Sequence, residues 1–341
     1  MELLARSSYI RRKDMDSVLN CIVSDRLEAG EFCDRLLKNA KERLGFEYGV
    51  ALRNPMIALD TALACLGVAS GDSIALSALS PMWSYRVLAA RGIHAVWLDV
   101  DASSASISPR AVESLGTSLL KAIYLAEPWG IMPDPGLFAE TGLPIIEDAT
   151  YSIGASAGDI RAGLIGTFGI VSLEPACSIT AGGGALLYAL GRRDAQALRN
   201  VSDQLGAEEH MTDMNAALAL SQIRDIDKFL EKRRELAELY GQSLARAHRK
   251  PLMASIECEP ANFGCVVVLD SGAKDVRAYA RKKDVDTVMA FDDTCAAAGI
   301  VPDGCCPQAL SLVNRSVAFP LNPRIGKTAA QKIARVLATL P

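Results

Sequence analysis

The chain is poor in histidine, poor in aromatic residues, almost neutral, and has no long apolar run. Each shortage closes off a class of function. Only three histidines occur, His94, His210 and His248, and none of the nine cysteines forms a CxxC pair. Neither residue type therefore has zinc-ligand spacing, and no metal site is expected. The cysteines are odd in number and scattered apart from Cys305-Cys306. Free thiols in a reducing compartment are expected from that pattern. No apolar run approaches the ~18 residues of a membrane-spanning helix. The opening MELLARSSYIRRKD lacks the apolar core of a signal peptide, so a cytoplasmic protein without a membrane partner is expected. A net charge of −4 offers nothing to draw nucleic acid or an anionic membrane. What is present is ordinary for a globular chain: half the residues are hydrophobic and 22% are charged. The 341 residues suffice for one large domain with an appendage, or for two domains.

Apolar periodicity predicts helices over residues 13–45, with Met15, Val18, Leu19 and Ile22 on one stripe and Phe32, Leu36, Leu37 and Leu44 on the next. Gly45 is the expected stop. From Tyr48 onward, strand and helix patterns alternate: Tyr48–Leu52, Pro55–Leu66, Ser73–Leu76, Trp83–Arg91, Ala95–Asp99, Pro109–Leu115 and Lys121–Ala126. That beat predicts a mostly parallel sheet covered by helices on both faces. Residues 207–248 read as helical, with charges on the solvent faces. A smaller α/β portion follows Lys250-Pro251, with a strand at Cys265–Leu269, a helix near Val276–Lys282 and a last helix at Thr328–Leu340. The expected division is a large unit, 1–250, and a small one, 251–341.

The stretch from Leu143 to Tyr188 carries the chemistry. The short apolar run Pro144–Ile146 ends in Glu147 and Asp148, as a buried parallel strand does where its carboxyl end opens into a site. A second strand, Gly169–Leu173, runs into Glu174-Pro175-Ala176-Cys177-Ser178-Ile179-Thr180. Gly182, Gly183 and Gly184 then turn the chain into Ala185–Tyr188.

These segments closely resemble the DegT/StrS-type aminotransferases of sugar-nucleotide metabolism, which are fold type I enzymes dependent on pyridoxal phosphate (PLP). In that family an E-D-A-[AT] turn supplies an Asp to the cofactor's pyridinium nitrogen. An F-S-F-x-x-x-K strand supplies a phosphate-binding Ser and the Lys that carries the cofactor as a Schiff base. Asp148 and Ser172 match the Asp and the Ser. Cys177 stands where the lysine belongs. A second resemblance lies in HMTDMNAALALSQIRDIDKFLEKRRELAELY, which follows the family's R-M-x-[ED]-[IL]-Q-A-A motif and its later R-R-x-x-A-x-x-Y. A third is SVAFPLNPRI, near the family's closing L-P-L-x-P. The resemblance spans nearly the whole chain. It implies an aspartate-aminotransferase-like large domain, a small C-terminal α/β domain, a homodimer, and a nucleotide-sugar ligand.

Asp148 reads either as the inherited cofactor position or as a carboxylate capping the following turn. Cys177 reads as a small buried filler in preference to a nucleophile, since no histidine stands near it in sequence. A thiol cannot form an imine, so no covalent PLP is expected. The family's S-G-T phosphate turn aligns with Asn54-Pro55-Met56, where proline removes an N–H and methionine removes the hydroxyl. The Asn that a neighbouring subunit sends to the phosphate aligns with Glu208. Gly183 replaces the glutamate of T-[TA]-G-E-G-G. Tyr151 replaces the Gln or His after E-D-A-A, with a ring that could fill cofactor space. Trp83 and Tyr85 are candidates for the aromatic that stacks on the cofactor ring. Trp129 falls in the family's H-x-[YF]-G loop, as a substrate platform or a loop anchor. Two functions follow as expectations. One is a non-catalytic or repurposed homologue in the synthesis of cell-surface polysaccharide. The other is an enzyme acting on a nucleotide-linked keto sugar with noncovalently held PLP, as the family's 3-dehydratases do.

Overall fold

Residues 4–25, 27–116, 119–254 and 258–341 are described by the structure, a computed structural model. The first three residues of the opening segment read for a signal lie outside that set. Two amphipathic helices come first, α1 (Arg12–Val23) and α2 (Glu31–Leu44). Gly45 ends α2 in the left-handed conformation, its N–H bonded to the Lys41 carbonyl at 2.8 Å.

The alternation then produces β1 (Tyr48–Leu52), α3 (Pro55–Cys65), β2 (Ser73–Ser77), α4 (Met82–Ala90), β3 (His94–Leu98), α5 (Pro109–Glu113), β4 (Leu120–Ala126), α6 (Gly136–Ala139) and β5 (Ile145–Asp148). A short ribbon, β6 (Ser156–Ala157) and β7 (Ile160–Arg161), leads to β8 (Phe168–Ser172) and β9 (Ala185–Ala189). The large sheet has the order β1-β9-β8-β5-β4-β2-β3. Neighbours from β8 to β3 run parallel, while β9 is antiparallel to both β8 and β1. Parallel neighbours need crossovers, and the crossover helices cover both faces. Hence β8 and β9 are buried at every residue, whereas the edge strand β3 alternates between exposed and half-buried positions up to Leu98, which is buried.

One aromatic locks the strands that carry the site. Tyr188 on β9 lies opposite Gly49 on β1 and Gly169 on β8. Its ring stacks on Phe46 with centroids 4.8 Å apart; the Tyr188 ring fills the space Gly169 leaves, and the Phe46 ring the space at Gly49.

Residues 207–248 divide where a continuous helical pattern was expected. Ala207–Glu209 make a single 3₁₀ turn, then α8 (Asp213–Arg224) and α9 (Ile226–Arg246) follow α7 (Arg192–Ser202). Thr212 starts α8 by capping the Asn215 N–H at 3.4 Å. Asp225, with φ −109° and ψ 14°, breaks the run between α8 and α9. Its carboxylate is claimed by Arg11 and Lys13 from the N-terminal segment, and by Lys228 at 3.3 Å. Asp14 accepts from Arg11 at 2.7 Å and from Gln222 at 3.1 Å in the same corner. Lys13 above all holds the Asp225 carboxyl well below the usual range. Burial works against Asp14, but Arg11 and Ser221 outweigh it and hold that carboxyl low as well. Both folded pKa values are thus below the unfolded value of about 3.9, so this stabilisation is whole above about pH 4 and drains away as pH falls. Asp225→Asn is expected to flatten the acid-side decline of the urea midpoint. An unaltered decline would show that the corner does not drive acid sensitivity.

The remaining chain forms β10 (Lys250–Pro251), β11 (Cys258–Glu259), β12 (Cys265–Val268), α10 (Ala273–Lys282), β13 (Val288–Met289), α11 (Pro307–Arg315), β14 (Ser316–Phe319) and α12 (Lys327–Leu337). A second, antiparallel sheet has the order β10-β12-β14-β13, while β11 returns to pair with β6. Leu236, Tyr240 and Leu244 of α9 enter the core under this sheet. Buried Arg233 donates to the carbonyls of Phe263 at 2.5 Å and Leu321 at 3.0 Å, tying α9 to the loops beside the site. Among the described residues, no helix is long and apolar enough to cross a membrane, and no three His, Cys, Asp or Glu side chains gather to hold a metal.

Candidate functional site

Strands β5 and β8 are parallel neighbours, with Asp148 at the end of β5 beside Ile170 and β8 continuing to Ser172. Alternation along β5 sends Glu147 and Asp148 to opposite faces. Glu147 accepts three backbone N–H groups, from Gly163 at 2.6 Å, Ile165 at 2.7 Å and Gly166 at 3.2 Å. Asp148 accepts the Tyr124 hydroxyl at 2.7 Å on one oxygen, and the N–H (3.1 Å) and hydroxyl of Thr150 on the other. Burial pushes its carboxyl up, and these bonds offset only part of that. Thr150 also receives the Ser172 N–H at 2.9 Å, so one hydroxyl joins the two strand ends.

After Ser172 the chain turns sharply, with Ala176 at φ 64°. For a residue with a Cβ that left-handed conformation is strained, and its N–H is tied to the Ser8 hydroxyl at 3.2 Å. The turn brings the Cys177 thiol within 3.9 Å of the Ser172 hydroxyl. Burial raises the Cys177 pKa to about 12, helped by the charges of Asp148 and Glu174. The thiol therefore stays protonated and is no nucleophile at neutral pH. Gly183 adopts φ 147°, and the adjacent Gly184 N–H reaches the Glu174 carboxylate at 3.4 Å.

Above these strand ends is a cleft of about 430 Å³ into which Asp148, Tyr151, Ser172 and Cys177 converge. Trp83 lines it and meets Tyr124 edge-on at 6.0 Å, whereas Tyr85 packs against Trp97 at 5.6 Å, away from the opening. Pro55 reaches the cleft at the start of α3, but the Asn54 side chain turns back to cap the Ile57 N–H at 3.0 Å. Met56 is exposed. Neither Met56 nor Glu208 lines the cleft of its own chain; Glu208 lies on the surface, its carbonyl accepting from Arg53 at 3.2 Å. Tyr151 stacks on Phe263 with centroids 4.3 Å apart and stands between the cleft and a smaller inner chamber of about 50 Å³. Trp129 walls that chamber. Its indole N–H is anchored to the Ala290 carbonyl at 3.1 Å, and Gly264 leaves the room its ring occupies.

Several participants had no mark in the sequence. Arg6, Asp292 and Asp293 come from opposite ends of the chain and meet beside Trp129. Glu127, at the end of β4, lines the inner chamber. A carboxylate directly after a buried strand was the available signal for Glu127, the same one that marked Asp148.

The sheet order, the carboxyl-end site and the small second sheet can now be set against known proteins. Residues 8–338 match the DegT/DnrJ/EryC1/StrS aminotransferase family. The chain belongs to that family. Among solved structures, the aminotransferase TlmJ from Streptoalloteichus hindustanus superposes with a TM-score of 0.90 at 20% identity, covering 99% of this chain and 98% of TlmJ. Spr1654 from Streptococcus pneumoniae, solved in a PLP form, gives 0.90 at 16% identity over 99% and 98% of the two chains. The sugar aminotransferase CalS13 from Micromonospora echinospora gives 0.86 at 16% identity over 98% and 99%. The fold is thus fold type I.

Against this family background, the donor set in the cleft does not suit PLP held by a Schiff base. No lysine lines it among the described residues. α3 also opens on a proline with no N–H for a phosphate. Lys121, near the start of β4, faces Asp72 at 3.9 Å, away from the cleft.

Proposed function

We propose that this member of the DegT/DnrJ/EryC1/StrS family is a non-catalytic or repurposed homologue that binds ligand in nucleotide-sugar or cell-surface polysaccharide synthesis without conventional transamination. The observation that carries this is a protonated, half-buried thiol at Cys177, in a cleft that no lysine lines among the described residues. Transamination needs an amine that condenses with the aldehyde and then moves a proton, and a protonated thiol does neither. The altered phosphate turn at Asn54-Pro55-Met56 adds support. Purified protein is expected to be colourless. A near-visible absorption band that survives dialysis would overturn the reading.

The noncovalent alternative keeps one observation in its favour: Asp148 and Ser172 still converge on one cleft beside the glycine turn. It requires turnover of a nucleotide-linked keto sugar when PLP is added, and the absence of turnover would remove it. The division into units 1–250 and 251–341 and a cytoplasmic location remain part of the proposal. So does a homodimer. Sedimentation is expected to give twice the 36.3 kDa chain mass, and a monomer at micromolar concentration would refute the dimer.

A further inference from the structure

A second recess lies across the small sheet from the strand-end cleft. α10 and α12 cover one face of that sheet, where Val276, Ala280, Ile333 and Val336 share a core with Val267, Val317 and Phe319. The alternate residues Val266 and Ala318 point the other way, into the core that holds Trp129 and Phe291 beside the cleft. Between α10 and α12, on the outer side, runs an open groove of about 1300 Å³.

Its walls are basic. Lys274, Arg277 and Arg281 line it from α10, and Lys332 and Arg335 from α12, against Asp284 and Asp286. Both carboxylates are already engaged: Asp284 accepts from Lys332 at 3.0 Å, and Asp286 accepts the Ala5 N–H at 3.3 Å. Arg277 donates only to the Thr287 carbonyl and Arg335 only to the Gln331 carbonyl, each at 3.3 Å. Lys274 and Arg281 have no carboxylate partner among the described residues.

This clustering is unfavourable in the free protein. Like charges three or four residues apart on a helix repel, and Lys274 and Arg277, Arg277 and Arg281, and Lys332 and Arg335 all have that spacing. The helix dipole accounts for Arg281 and Arg335, which lie in last turns. It works against Lys274, in the first turn of α10. Overall charge does not explain the cluster either, since the chain carries −4.

The groove thus presents donors whose charge nothing in the chain neutralises. Its three guanidinium groups are planar forks that can each hold a phosphate edge through two bonds, and the small Ala278 and Ala329 leave the floor open between the two rows. Because the cations stand on two helices, an anion with several charged groups can engage both rows, whereas a single phosphate engages one. A long polyanion would also meet the negative remainder of the surface, and a compact one meets the groove alone.

We infer that the groove between α10 and α12 is a binding site for a compact polyphosphate, an anion with two or more linked phosphate groups. The sheet separates it from the cleft, so the inference holds whether or not the cleft takes a cofactor.

The test is calorimetric titration of the full-length protein at neutral pH, without divalent metal, using tripolyphosphate, ATP, orthophosphate and a hexaglutamate peptide. Tripolyphosphate is expected to saturate one site per chain, more weakly as salt is raised, and to bind at least tenfold tighter than orthophosphate or hexaglutamate. ATP equal to tripolyphosphate would support a site that reads phosphate alone, and tighter ATP would support a nucleotide as its source. Lys274→Ala and Arg281→Ala, both at exposed positions, are each expected to weaken tripolyphosphate about tenfold, and Arg281→Glu to abolish its binding. Lys38→Ala, on the exposed face of α2, should leave it unchanged. The inference is overturned if tripolyphosphate does not saturate, or if orthophosphate or hexaglutamate binds as tightly. It is overturned equally if Lys38→Ala weakens binding as much as the groove variants do, since the attraction would then belong to the surface at large.

Discussion

Cys177→Lys by itself is expected to take up added PLP only weakly, and adding Pro55→Gly is expected to tighten that uptake at least ~10-fold. The magnitude comes from hydrogen bonding to a charged partner, worth about 1.5–3 kcal/mol per bond. The glycine returns an N–H at the start of α3, about 1.5–3 kcal/mol, or roughly one to two orders of magnitude in affinity. A helix N-terminus is a natural phosphate seat, and here it is capped by Asn54 and blocked by a proline that reaches the cleft. Titration of the imine absorption band measures both variants. Tight uptake by the single lysine variant would mean that the phosphate seat is intact without that N–H. A double variant no tighter than the single one would mean that the start of α3 at Pro55 does not face the phosphate.

Gly169→Ala is expected to cost about 3 kcal/mol or more of unfolding free energy, read from urea denaturation. A Cβ at that position would sit 2.3 Å from two atoms of the Tyr188 ring. The ring cannot step aside, because Phe46 stacks on it and Gly163 lies against its hydroxyl. The strain would reach the site, since Gly169 pairs with Glu147 one residue before Asp148. Tyr188→Leu in the same chain is expected to recover part of the loss, making the double variant less destabilised than the sum of the two single changes. A loss under about 1 kcal/mol would show that β8 and β9 can separate without cost, contrary to overpacking in a close-packed core.

Much of the site was readable before any coordinates. Asp148 showed itself as a carboxylate ending a buried run, and Ser172 and Cys177 by their spacing in a family motif. Alternation of period-two and period-3.6 segments carried the large sheet, because crossover connections leave that mark on any chain that builds parallel strands. Where a local pattern allowed two outcomes, packing chose between them. Trp83 and Tyr85 both sat at a plausible spacing, yet only Trp83 turns toward the cleft while Tyr85 goes to Trp97. The helical pattern of 207–248 did not disclose the break at Asp225, because two of the three cations that hold its carboxylate, Arg11 and Lys13, lie more than two hundred residues earlier in the chain.

By itself the amino-acid sequence determined the kind of protein: which segments are strands, which ends carry polar groups, and that no lysine stands at the end of β8. Those are local properties, set by side-chain period and by the identity of single residues. Only the tertiary structure decided what the cleft is made of electrically. Arg6, Glu127, Asp292 and Asp293 carry no motif, and their effect depends on distance and desolvation after residues far apart in sequence have been brought together.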